Sequence, residues 1–310
     1  MAKAILYTGR GGYDVVQVGS RDVRAPGPGE VRIDVKAAAV NVSDVLLRDP
    51  GYASTPPPWT PGWDAAGIVE SVGPGVDGFR IGEEVIAIVL PFREEGGAQV
   101  AQIVVPVASV VRIPDGVTLQ QASTLPMNGL TAEYALELAG LEPGQSLAVS
   151  GGAGLLAYYM IVLAKRRGLR VIADAKPSEV DLVRGYGADS VVARGDSFGD
   201  AVRAVEPNGV DALLDTAVLL EKAFPAIRNG GIYIPVRGWT GPPAERDIQI
   251  KPVFVSKVVA RTDWLEELRD LVSSGAIELR VTGEYPPEQI VEAQRVITGG
   301  GVRGRPVIVF

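Results

Sequence analysis

The chain has neither cysteine nor histidine in its 310 residues. Without cysteine there is no disulfide and no thiolate nucleophile, and without histidine there is no Ser-His-Asp triad and no imidazole base. Zinc, whose sites draw almost wholly on those two residue types, is not expected. Any metal would need carboxylates of the kind that hold magnesium, and proton transfer falls to Asp, Glu, Lys, Tyr, a cofactor hydroxyl or water. Aromatic residues are scarce, at 6%. Pro, Gly or charge breaks every apolar run before the ~18 residues of a membrane span. Positive charge is in deficit, with a net charge of −7, so neither nucleic acid nor an anionic membrane is expected as a partner. The opening "MAKAILYTGR" lacks the regions of a secretory signal, and a cytoplasmic location is the expectation.

What is present suits a folded protein of one large or two ordinary domains, with 46% apolar and 22% charged residues. The first ~115 residues read as strands, "EVRIDVKAAAV", "AAGIVESVG", "EEVIAIVL" and "AQVAQIVVP", punctuated by "APGPGE", "GPGVDG" and "STPPPWTPG". From about residue 119 the period changes: "LQQASTLPMNGLTAEYALELAG" is helical in pattern. Short β-rich runs ("SLAVS", "LRVIADA", "DSVVA", "VDALLDT", "GGIYIPV", "DIQIKPVFV") then alternate with helices expected near 155–167, 178–185, 197–204 and 219–228. That alternation predicts an α/β fold with a doubly wound parallel sheet. Two more helices are expected in the tail, in "RTDWLEELRDLVSSG", with Asp263 and Glu266 spaced as a capping box, and in "PEQIVEAQRVITGG". The closing "RPVIVF" reads as a strand returning to the first domain.

The stretch "SLAVSGGAGLLAYYMIVLAKRRG" runs from strand through a glycine cluster into helix, and Gly152, Gly154 and Ala157 satisfy G-x-G-x-x-A. In that setting the first glycine allows a tight turn. The second admits the backbone to a pyrophosphate, and the small third residue lets helix pack on strand. The helix start then offers free N–H groups to the phosphates. Leu155 and Leu156 are bulkier than the residues usual there. An acidic residue is expected about twenty positions on to hold the ribose, and Asp174 is there. Lys176 follows it, suited instead to a 2′-phosphate. Asp174 points to NAD(H), Lys176 to NADP(H).

Further segments carry a resemblance. "AAAVNVSDVLLRDPGY" matches N-x-x-D-x-x-x-R-x-G-x-Y at Asn41, Asp44, Arg48, Gly51 and Tyr52. "PGWDAAGIVESVGPGV" matches P-G-x-D/E-x-x-G-x-V, "IGEEVIAI" matches G-D-x-V, and "NGLTAEYAL" matches a G-x-T-A helix start. With these, the whole chain resembles the medium-chain dehydrogenase/reductase superfamily, in its zinc-free quinone oxidoreductase branch. Where zinc-dependent members place Cys and His ligands, this chain has Asn41 and Trp63, and the four-Cys lobe is missing.

The resemblance implies a GroES-like substrate domain, residues 1–118 and 276–310, and a Rossmann dinucleotide-binding domain, residues 119–275, with the active site in the cleft between them. It implies hydride transfer, NADP(H) favoured over NAD(H), to a quinone or to the C=C bond of an α,β-unsaturated carbonyl, without zinc or other metal. Asn41 is implied near the nicotinamide, Tyr52 as a donor to the developing oxyanion, and Trp63 as a pocket wall or a core residue. Asp44 and Arg48 read as an i, i+4 surface pair. Asn128 and Thr131 are implied near the nicotinamide and its phosphates. Asp215, Thr216 and Ala217 end the fourth strand of the sheet, facing the ligand crevice. Val236, Arg237 and Gly238 end the fifth and pass the nicotinamide. Arg237 would meet an anionic group or form a surface salt bridge; Arg303 and Arg305 would meet a 2′-phosphate or form a solvated basic turn. The apolar strand 247–256, at the sheet edge, implies a homodimer. One alternative stays open: a non-reductive dinucleotide-binding or biosynthetic tailoring protein, in which Leu155, Leu156 or Tyr158 crowds the pyrophosphate.

Overall fold

The computed structural model describes residues 1–52, 55–243 and 245–310. Ser54, which opens "STPPPWTPG", lies outside them. The chain forms two compact units: residues 1–127 with 259–310, and residues 128–258.

The first unit begins with the antiparallel pair β1 (Ala2–Tyr7) and β2 (Val16–Arg21). β3 (Glu30–Ala39) then alternates inward Val31, Ile33 and Val35 with outward polar residues, the period-two pattern of a half-buried strand. The short helix α1 (Val42–Leu46) follows, then β4 (Asp64–Val72), β5 (Glu84–Ile88), β6 (Gln102–Pro106), β7 (Val110–Arg112) and α2 (Leu119–Ala122).

Helix α3 (Pro126–Ala139) leads to the second unit, whose strands are β8 (Ser146–Ser150), β9 (Arg170–Ala175), β10 (Ser190–Ala193), β11 (Val210–Asp215), β12 (Ile227–Pro235) and β13 (Gln249–Ile250). Between them come α4 (Leu155–Arg166), α5 (Val180–Gly185) and α6 (Phe198–Val205). Among the described residues they form one parallel sheet of order β10-β9-β8-β11-β12-β13. β8 is buried at every residue, as a central parallel strand must be. The order reverses between β8 and β11, the switch point where such sheets bind ligands.

The chain returns to the first unit with α7 (Thr262–Ser273), β14 (Val281–Tyr285), α8 (Ile290–Thr298) and β15 (Arg305–Val309). Among the described residues the sheet here runs β14-β15-β3-β4-β5-β7, with β6 also on β3. The returning strand is thus seated beside β3, as expected, and Val307 to Val309 pair with Ala37 to Ala39.

Several local expectations are corrected. The segment 219–228 is not an α-helix: Pro225 interrupts it, leaving a 3-10 stretch, Leu220–Ala226. The edge strand expected over 247–256 is a regular strand only at Gln249–Ile250, although the Lys251 and Val253 N–H groups still donate to the Tyr233 and Pro235 carbonyls of β12. The capping box at Asp263 is absent: α7 starts at Thr262, and Asp263 pairs with Arg261 at 2.6 Å. The units part at 127/128 and 258/259, because α7 lies against β7 of the first unit.

Candidate functional site

The residues singled out above gather in two places, one in each unit. In the second unit the glycine turn links β8 to α4 at the switch point. Gly151 takes the left-handed conformation, φ +71°, so the tight turn is made there and not at Gly152. Gly152 is needed for closeness: a Cβ on it would lie 2.4 Å from the Asp174 carbonyl oxygen. Gly154 caps α4 with extended backbone, without a side-chain cap. The amides that follow point outward at the positive end of a twelve-residue helix. Ala157 is wholly buried.

Leu155 is 1% exposed. Tyr158 is buried with its ring 4.7 Å from that of Tyr186. Leu156 is half-buried.

Asp174 also contacts the glycine turn itself. It is buried within β9, and its Oδ1 accepts the Gly152 N–H at 2.8 Å. Burial raises its pKa, and that hydrogen bond together with the nearby Arg194 charge holds the rise down. The carboxylate therefore braces the turn. Lys176 and Arg194 are exposed beyond β9 and β10 and line a hollow of about 620 Å³ with Ala175, Pro177, Val180 and Val192.

Across the switch point the ends of β8 and β11 are tied together. Ser150 Oγ donates to Asp215 Oδ1 at 2.6 Å, and the Ala217 N–H donates to that same hydroxyl at 3.0 Å. The Thr216 hydroxyl donates to the Ser150 carbonyl at 2.6 Å. Tyr233 donates to Asp215 Oδ2 at 2.7 Å. Asp215 is thus an internal clamp, while Thr216 and Ala217 sit half-buried at the crest. Val236 is half-buried, and Gly238 has φ +74° with the Phe254 ring beside it. Arg237 is exposed and forms no ion pair among the described residues, so it is not the surface salt bridge considered above. Asn128 and Thr131 are buried on the first turns of α3.

The first unit holds the second cluster. Asn41, 1% exposed, precedes α1 in a reciprocal capping box: Asp44 Oδ2 accepts the Asn41 backbone N–H at 2.7 Å. The side chain of Asn41 is held at both ends. Its Nδ2 donates to Asp64 Oδ2 at 2.7 Å, and its Oδ1 accepts from Arg305 Nε at 2.8 Å. The reverse amide would set a carbonyl against a carboxylate and an NH₂ against a guanidinium, losing two charge-assisted bonds of about 1.5–3 kcal/mol each. Asp64 Oδ1 accepts the Met127 N–H at 2.6 Å, and Gln99 Nε2 donates to Asp44 Oδ2 at 3.2 Å.

Both carboxyl groups are wholly buried. Burial pushes Asp64 up to about 7, against the Met127 and Asn41 hydrogen bonds and the Arg305 charge. Burial, with the neighbouring Asp64 charge, pushes Asp44 up to about 8. The expected surface pair of Asp44 with Arg48 is not formed. Arg48 is buried, donates to Gln294 Oε1 at 2.8 Å, and lies over the Tyr7 and Tyr13 rings. Arg305 is not in a solvated basic turn, since β15 carries it to Asn41, 264 positions away in sequence. Trp63 is 5% exposed and edge-on to Phe92 at 5.6 Å. Tyr52 is exposed. Asp64, Gln99, Ser150 and Gly151 were not singled out as site residues; the P-G-x-D/E match could have marked Asp64, and adjacency to the glycine pattern Gly151.

Zinc does not fit this cluster. The Asn41 amide is engaged at both ends, and the Trp63 indole nitrogen is a donor without a lone pair to offer. Among the described residues no group of three or more Asp or Glu is placed to hold a metal ion, and no helix is long and apolar enough to cross a membrane. A dinucleotide does fit the other cluster, where a glycine-rich turn leads into the N-terminus of α4 at the switch point.

Comparison with known proteins agrees with both halves of this architecture. Residues 27–115 match the alcohol dehydrogenase GroES-like domain, and residues 186–308 match the zinc-binding dehydrogenase family. The chain belongs to the medium-chain dehydrogenase/reductase superfamily. It is 29% identical over 317 residues to an NADPH-dependent alkenal/one oxidoreductase from the chloroplast of Arabidopsis thaliana, covering 99% of this chain and 79% of that one. It is 30% identical over 221 residues to the synaptic vesicle membrane protein VAT-1 homolog of Rattus norvegicus, covering 69% of this chain. That match spans about half of the VAT-1 homolog, 53%. An alcohol dehydrogenase superfamily protein from Novosphingobium aromaticivorans superposes with a TM-score of 0.89 at 25% identity, over 100% of both chains.

Proposed function

We propose that this protein is a zinc-independent, NADPH-dependent reductase acting on the C=C bond of an α,β-unsaturated carbonyl or on a quinone. The observation that carries the reading is the glycine turn at the β8/β11 switch point, where Gly152 packs against the Asp174 backbone and Gly154 starts α4 without a side-chain cap. When bound, the nicotinamide supplies a hydride to an electron-poor carbon. The residues of the chain do the rest. The α4 amides hold the pyrophosphate. Lys176 and Arg194, exposed beside one hollow, hold the 2′-phosphate, a reading supported by the NADPH-dependent relative. Asn41 and Tyr52 offer N–H and O–H donors to the oxygen on which charge builds. Trp63 and Phe92 form an apolar wall for a flat substrate. The relative from Arabidopsis, whose name gives NADPH and an alkenal or enone, supports the same substrate class.

The open edge at Gln249–Ile250 and the exposed Phe254 support a homodimer built on that edge.

The test is initial-rate kinetics with NADPH and NADH against a simple enone and a simple quinone. NADPH turnover, with the preference for NADPH reduced about tenfold or more by Lys176→Ala with Arg194→Ala, is expected from the loss of two phosphate contacts. Failure of both nucleotides to bind at millimolar concentration refutes the reading.

A further inference from the structure

The Asn41 amide is oriented by two residues to which the proposed chemistry assigns no task. Asp64 takes one end and Arg305 the other, at 2.7 and 2.8 Å. Asn41 is buried, Asp64 is buried, and the three sit on separate elements: the start of α1, the start of β4 and the start of β15. Such a chain does two things. It leaves the amide one orientation, and it polarises that amide, because a cation pulls on its oxygen while its nitrogen faces a carboxylate. A donor that must meet a developing oxyanion gains from both, since its direction is set before the charge appears.

We propose that Arg305 and Asp64 are positioning residues that fix the Asn41 amide for donation to the substrate oxygen. The inference rests on the reductase reading above. It assigns the two charged groups to orienting the amide, one from the last strand of the chain and one from the middle of the same unit. Asp64 also accepts the Met127 N–H, so the amide is referenced to the start of α3. The groups facing Asp64 are Arg305, Asp44, Asn41 and the Met127 amide, and Asp44 in turn faces Tyr7 and Gln99. Burial lifts Asp64 to about 7, with Arg305 favouring its ionised form. Below that pH a protonated carboxyl is a weaker acceptor for Asn41, and the chain loosens.

The experiment has three arms on the full-length protein. First, Arg305→Gln is expected to lower kcat about tenfold to 100-fold, the loss that follows from a misdirected group, with NADPH affinity unchanged. The acidic inflection of its kcat profile should move to higher pH, because the cation that favours ionised Asp64 is gone. Weakened NADPH affinity at full kcat would make Arg305 a cofactor contact and overturn the proposal. Second, Arg305→Lys should restore part of kcat, and no recovery over Arg305→Gln counts against it. Third, Asn41→Asp alone sets two carboxylates against each other and should lower the melting temperature. Adding Asp64→Asn re-forms a donor–acceptor chain with Arg305 and should restore the melting temperature but not kcat, since position 41 then has no N–H. A double variant as active as wild type overturns the proposal. Additive melting temperatures deny the chain itself, by a readout that needs no activity. An inactive wild type with the predicted stability coupling would instead refute the reductase reading and leave the chain without a catalytic task, which also overturns the proposal.

Discussion

Asp174 and Arg305 show how much of a residue's work its position in the sequence leaves unsaid. Asp174 stands where a ribose-binding acid belongs, and its Oδ1 also accepts the Gly152 amide. Whether a side chain at a strand end faces ligand or turn depends on which face of the pleat it occupies, and spacing alone does not say. Arg305 sits in a basic, glycine-flanked tail that reads as solvated, and only the pairing of β15 with β3 delivers it to Asn41. A testable consequence at this scale concerns pH. Asp44 and Asp64 have folded pKa values of about 8 and about 7, above the ordinary carboxylate value near 4. They bind protons more tightly folded than unfolded. Their contribution to stability is therefore complete below about pH 4 and is lost as pH rises through about 7 and about 8. The urea midpoint should accordingly fall between pH 5 and pH 8, and Asp44→Asn should flatten that fall. An unchanged slope in the variant would mean that Asp44 does not carry it.

At the scale of elements, periodicity was a good guide where an element buries one face and a poor one where backbone chemistry intervenes. β3 was legible because its pattern of two runs uninterrupted, and α4 because a long apolar run follows directly on the glycine turn. The segment 219–228 was apolar enough for a helix but carries Pro225, whose missing N–H and ring forbid the α-helical register. At 247–256 the apolar run was read correctly as the sheet edge, while regular strand geometry is confined to Gln249–Ile250. If that edge builds the proposed homodimer, Ile250→Lys places a charge in it and should yield monomers in sedimentation velocity. A wild-type protein that sediments as a monomer would remove the dimer.

At the scale of the whole chain, two units of different character were visible early, because strand punctuation gives way to strand–helix alternation near residue 119. The unit boundary was less visible, since α7 follows the second unit in sequence but packs on β7 of the first. Binding to the folded chain alone must raise its stability. NADPH at 100 times its dissociation constant should add about 2.7 kcal/mol, read as a rise in the melting temperature of the full-length protein. NADH at equal concentration should add less. Equal shifts would remove the assigned role of Lys176 and Arg194.

The inward-turned acid of β9 has an evolutionary corollary. If Lys176 and Arg194 hold the 2′-phosphate as proposed, discrimination between a nucleotide and its phosphorylated twin rests on two solvent-facing side chains beside a buried acid that braces the turn. A lineage can therefore retune which reducing pool it draws on by surface exchanges alone, leaving the scaffold beneath undisturbed.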